Sequence, residues 1–185
     1  DEFRQAKEKI NQALHFTMIV AIPSAVGLAV LARPIITVLF RGEIDLAVIL
    51  LQIGSISVVF FTMSTLTNGV LQGINRMRVP VIHACIALVI HVIFLYATLQ
   101  MDMGIQAVVY ANILFAVVVC ILNWLAIRKY LKYKQELIKT FLIPTIASVI
   151  MGVIITIIYM TLRNVVGNLA ILILGMAVGV IAYFV

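Results

Sequence analysis

Six stretches of this 185-residue chain contain no Asp, Glu, Lys or Arg: Ile10–Ala32, Leu46–Asn75, Val79–Met101, Met103–Ile127, Thr140–Leu162 and Asn164–Val185. Each is long enough to cross a bilayer, whose hydrocarbon core of about 30 Å needs about 20 apolar residues as helix. Charged residues fall almost only in the gaps between them. Backbone groups in lipid must pair internally, so the spanning elements are helices or a closed barrel. Barrel strands alternate apolar and polar residues. Stretches such as Val149–Tyr159 do not alternate. The expected fold is an all-α membrane protein with six transmembrane helices.

Composition supports this reading. Hydrophobic residues make up 64% of the chain and charged residues 11%, where a soluble domain carries about 25% charged. Cys85 and Cys120 both fall inside spans, where a free thiol behaves as a small hydrophobe. Neither a disulfide nor a metal site is expected. The chain starts at Asp1 and stops inside an apolar run at Val185, which reads as a fragment of a longer protein.

The net charge of +6 is unevenly placed. Ten of the 13 basic residues lie in alternate gaps: Arg4, Lys7 and Lys9, then Arg76 and Arg78, then Arg128, Lys129, Lys132, Lys134 and Lys139. The opposite gaps hold only Arg33, Arg41 and Arg163, balanced by Glu43, Asp45 and Asp102. The positive-inside rule then puts the N-terminus and the Arg76 and Lys132 loops in the cytoplasm. The basic balance therefore reports topology and anionic lipid, not nucleic acid.

Residues 1–9 read as a polar cytoplasmic lead-in and 10–126 as four transmembrane helices. Residues 127–139 read as a basic interfacial amphipathic helix, with Ile127, Tyr130, Leu131, Leu137 and Ile138 opposite Arg128, Lys129, Lys132 and Lys139. Residues 140–185 read as two further transmembrane helices, opened by Pro144. Pro23 removes a backbone hydrogen bond inside the first span and is a candidate hinge. Pro34 disfavours helix at Arg33, so a break near Ala32, with a short turn over Ile35–Phe40, makes it a second hinge candidate. Gly73 is placed to end the second span and Pro80 to start the third.

The spans hold no acidic residue, so there is no carboxylate pair for acid–base chemistry or proton relay, and no His-Glu-x-x-His or Gly-x-Ser-x-Gly motif. No enzyme and no cofactor are expected. Asn68, Gln72 and Arg76 recur every fourth residue, so they stack on one helix face. A face of two amides and a guanidinium at the cytoplasmic mouth suits a phosphate or a sugar. It equally suits two amides gluing helices and an arginine anchoring the loop. His83 and His91 share a face of the third span, either as neutral hydrogen-bonding groups in the bundle interior or as metal ligands completed by another helix. Asn112, mid-span in the fourth helix, either lines a cavity or bonds between helices.

Several short motifs follow a recurring order: Ile22-Pro23-Ser24-Ala25, Ala32-Arg33-Pro34-Ile35-Ile36, Leu39-Phe40-Arg41-Gly42, Leu71-Gln72-Gly73-Ile74-Asn75-Arg76 with Pro80, and Gly104-Ile105. In these the chain resembles the C-terminal half of polysaccharide-biosynthesis flippases of the multidrug/oligosaccharidyl-lipid/polysaccharide superfamily. It is most similar to the stage V sporulation protein B-like branch, related to the peptidoglycan lipid II flippase. The resemblance covers most of residues 10–130. It implies the last six helices of a two-lobed transporter in the bacterial plasma membrane. Such a transporter moves a polyprenyl-pyrophosphate-linked sugar by alternating access, with a missing N-terminal lobe as partner. It also implies a lipid-tail groove on the last two helices. The third span departs from the family, carrying His83 where Lys is common. Two alternatives stay open: a non-transporting scaffold for cell-envelope assembly, and a drug or cation exporter of the same superfamily.

Overall fold

The computed structural model describes residues 2–40, 44–131, 138–163 and 167–184. Among these, all regular structure is helical. The helices are α1 (Glu2–Val30), α2 (Ala32–Leu39), α3 (Asp45–Gly73), α4 (Arg78–Leu99) and α5 (Gln106–Leu131). A π-helical turn, Ile138–Leu142, leads into α6 (Ile143–Leu162), and α7 (Asn168–Phe184) follows.

Five helices carry apolar segments of 22 to 29 residues, which at 1.5 Å per residue reach about 33 Å or more and so cross the bilayer. The sixth stretch differs. Its described helix, α7, has 17 residues, about 26 Å.

The exterior is apolar. On α4 only Pro80, Ala87 and Thr98 are buried, while Ile93 and Tyr96 are 64% and 68% exposed. Water would not tolerate so continuous an apolar surface. Lipid does.

The helices pack in the order α4, α5, α3, α1, α6, α7, with α2 bridging α3 and α7. The largest core joins α1, α3 and α5 through Leu14, Met18, Ile22, Met63, Leu71, Cys120 and Ile127. A second core joins Leu31 to Met151 and Ile155 of α6. Small residues mark the tightest interfaces. Ala87, Ala107, Ala111 and Ala116 are fully buried, as expected where backbones approach closely in lipid.

The proline positions correct the expected boundary of the first span. The break falls at Leu31, and Arg33 is helical within α2. Pro34 sits in the first turn of α2, where a missing N–H removes no helical bond. Pro23 lies inside α1 and cannot donate to the Ile19 carbonyl one turn earlier.

Elsewhere Pro80 and Pro144 occupy first turns as anticipated. Gly73 is the last residue of α3, but the left-handed residue that closes the helix is Asn75, at φ 60°. The Asn75 amide donates to the Gln72 carbonyl at 2.9 Å and the Arg76 amide to the Leu71 carbonyl at 2.9 Å, the paired bonds of a Schellman cap. Of the expected amphipathic helix 127–139, residues 127–131 form the last turn of α5, and 132–137 lie outside the described residues.

Candidate functional site

A buried amide in lipid must find partners among neighbouring helices, because no water reaches it. Asn123 on α5 is fully buried, and its side chain ties three helices together. Its Nδ2 donates to Asn68 Oδ1 at 2.7 Å and to Thr67 Oγ1 at 3.1 Å, both on α3. Its Oδ1 accepts from His83 Nδ1 on α4 at 2.8 Å. Both amide hydrogens are thus used. Because an amide oxygen can only accept, Nδ1 of His83 carries the proton in this bond.

This knot brings together two of the six sequence-predicted residues, Asn68 and His83, and engages them in interhelical bonds. His91 stands apart. Its Nδ1 lies 2.9 Å from the Ala111 carbonyl, and its ring meets Phe115 edge-on at 6.0 Å. Alanine at 111 leaves that carbonyl open to a side chain from α4. The same device recurs where Ser64 Oγ lies 3.3 Å from the Ala116 carbonyl. Gln72, Arg76 and Asn112 are exposed. The Arg76 guanidinium stacks on the Tyr130 ring, 4.8 Å from its centroid. The expected triplet does not stack on one helix face: α3 ends at Gly73, and the left-handed turn at Asn75 carries Arg76 off its face. Asn68 turns into the knot, while Gln72 and Arg76 stay open at the basic end.

Asn123 is not among the candidate residues the sequence singles out. The available signal was its position mid-span, where an amide has no solvent. Tyr130, which organises the basic residues at this end, was read only as part of an apolar stripe.

A different feature opens on the far side of α1. A cleft of about 390 Å³ runs between α1, α6 and α7, and its lining is almost wholly apolar. Pro23, Ser24 and Gly27 of α1 face Met151 and Ile155 of α6 and Gly175 and Gly179 of α7. The glycines shape it. A Cβ on Gly179 would sit 2.9 Å from Ile155 Cδ1, and one on Gly175 would sit 2.9 Å from Leu31 Cδ2. A Cβ on Gly152 of α6 would sit 2.9 Å from Val26 Cγ1 of α1. Gly27, by contrast, has nothing within 4 Å of its Cβ position, so the cleft is open there. At the opposite end of the bundle from Arg76, Arg33 pairs with Asp45 at 2.9 Å and fastens α2 to the start of α3.

Comparison with known proteins shows which sequences the chain is similar to. The family model described as Lipid II flippase MurJ matches residues 1–175. The chain is 23% identical over 155 residues to the lipid II flippase MurJ of Bacillus subtilis (strain 168), covering 82% of this chain and 28% of that protein. It is 25% identical over 130 residues to the probable lipid II flippase MurJ of Bdellovibrio bacteriovorus, covering 67% of this chain and 25% of that protein. The chain thus spans about a quarter of the length of these curated relatives. No solved structure matches the chain significantly.

Proposed function

Because the chain belongs to the lipid II flippase MurJ family, we propose that it forms one wall of the path by which a lipid-linked, sugar-bearing precursor crosses the bacterial plasma membrane. A longer parent protein supplies the opposite lobe. The N-terminus and the Arg76 loop face the cytoplasm, following the charge asymmetry. The process is transport by alternating access, with no covalent step. Its cargo is a polyprenyl pyrophosphate carrying a peptidoglycan-type or related sugar headgroup.

The observation that carries the reading is the apolar cleft between α1, α6 and α7. It suits a polyprenyl tail, while Gln72 and Arg76 suit the headgroup and its pyrophosphate. Arg76 is the natural phosphate partner, since a guanidinium offers paired donors to phosphate oxygens. The knot narrows the headgroup face. Asn68 and His83 serve as interhelical bonds that hold that face, and His91 and Asn112 flank it along α4 and α5. Pro23 and the break at Leu31, before Pro34, are the points where α1 and α2 bend as the lobes rock.

A scaffold role gains support only from the dryness of the knot, and two sets of variants separate the readings in the intact protein. Gly27→Leu places a side chain in the open cleft without a clash at Cβ. Excluding two methylenes of the tail, at about 0.8 kcal/mol each, lowers affinity for the precursor about tenfold. Gln72→Leu and Arg76→Ala should each slow translocation of lipid-linked precursor in proteoliposomes, with expression intact. Wild-type translocation in all three variants refutes the transport assignment of this wall.

A further inference from the structure

A second cavity, of about 290 Å³, opens between α4 and α5 at the basic end of the bundle, on the other side of the knot from the tail cleft. Val79 and Ile82 of α4 and Leu122 and Leu125 of α5 form its walls, with Lys129 and Tyr130 at its outer end. Leu122 lies seven residues back along α5 from Lys129, so the apolar walls extend about 10 Å inward from the ammonium. His83 forms part of the lining. Its Nδ1 is held by Asn123, so that part of the wall is fixed in place.

The charges at the opening are arranged around one ring. Lys129 Nζ stands 6.0 Å from the Tyr130 centroid, and the Arg76 guanidinium stands 4.8 Å from it. Among the described residues neither cation has a carboxylate partner; the ion pair found there joins Arg33 to Asp45. The Lys129 ammonium and the Tyr130 phenol, at the mouth of an apolar slot in a membrane helix pair, form a half-site for an amphiphile with an anionic head. A nearby cation serves as internal control. Arg128 turns its guanidinium over Trp124, 5.7 Å from the ring, and does not line the cavity.

We propose that this cavity binds a resident anionic glycerophospholipid from the surrounding leaflet. Lys129 contacts its phosphate as a point charge; Arg76, which does not line the cavity, is left to the cargo. The Tyr130 hydroxyl donates to a phosphate oxygen. The four apolar wall residues lie along the first methylenes of an acyl chain. Basic pockets between membrane helices bind such headgroups for this combination of reasons. The inference goes beyond transport: the lipid is a bound component that wedges α4 against α5, not the cargo.

The test is lipid retention by the intact protein in native mass spectrometry, with phosphatidylglycerol and phosphatidylcholine as probes. Wild type should retain phosphatidylglycerol in preference. Lys129→Gln should weaken that retention about fivefold, the worth of one basic residue at an anionic lipid surface, and leave phosphatidylcholine unchanged. Leu125→Trp, which fills the slot from an exposed position, should weaken it with Lys129 intact. Arg128→Gln should retain the lipid as wild type does. Equal losses in Arg128→Gln and Lys129→Gln would show diffuse attraction and overturn the site. So would full retention in Lys129→Gln. Stoichiometric displacement of phosphatidylglycerol by a lipid-linked pyrophosphate would also overturn the proposal, by making the cavity part of the cargo path.

Discussion

Replacing Asn123 with Leu removes the amide from the centre of the three-helix knot and keeps the side chain's approximate volume. Three hydrogen bonds disappear together: to Asn68 Oδ1 at 2.7 Å, to Thr67 Oγ1 at 3.1 Å and from His83 Nδ1 at 2.8 Å. Interhelical hydrogen bonds in membranes average about 0.6 kcal/mol and reach about 1.7. The variant should therefore lose about 2 kcal/mol, with an upper bound near 5 kcal/mol if every bond is of the strong kind. The partners set where the value falls. Thr67 is buried but keeps its own bonds to the Met63 and Ser64 carbonyls at 2.8 and 3.0 Å. Those bonds favour the lower figure. The assay is unfolding of the intact protein by steric trapping in bicelles, combined with a double-mutant cycle against His83→Leu. A coupling of about 0.6 kcal/mol or more is expected, because the two residues share one bond. A stability equal to wild type, or strict additivity of the two variants, would refute the claim that the knot holds α4 and α3 to α5.

Gly179→Leu should push α7 away from α6, because its Cβ would lie 2.9 Å from Ile155 Cδ1. The expected loss is about 1–3 kcal/mol, read by the same unfolding assay, while Gly27→Ala should gain about 0.5–1 kcal/mol from reduced chain entropy. Asn75→Val should cost about 1–2 kcal/mol, since its φ of 60° is hostile to a β-branched residue. Asn75→Gly should be close to neutral in a thermal melt of the purified protein.

Much of the architecture is legible in one dimension. Charge-free stretches define the spans because a charge inside hydrocarbon is costly, and helix follows because the backbone has no other way to pair there. Pro80 and Pro144 mark helix starts by a local rule that tertiary packing leaves alone. Where local rules compete, the sequence is less decisive. Arg33 precedes a proline yet is helical, because Ala32 and Ile36 pack against Val48 and seat the start of α2 at Ala32, three residues before the expected turn.

The candidate site was legible as residue types but not as partners. Asn68 and Gln72 do share a face of α3, but the helix ends at Gly73, so Arg76 leaves that face and stacks on Tyr130 of α5 instead. A soluble helix announces its inner face by an apolar stripe. These helices are apolar on both faces, so their rotation about their own axes leaves little trace in the pattern. That rotation is set by where backbones can come close: at Ala111 and Ala116, which admit His91 and Ser64 to the main chain, and at Gly152, Gly175 and Gly179, which bring α6 against α1 and α7 against α6. The sequence by itself determined that the molecule is a bundle of lipid-solvated helices with one basic end. Only the tertiary structure decided which of its few polar groups bind helices together and which remain open, because that choice depends on close contacts between small residues on different helices.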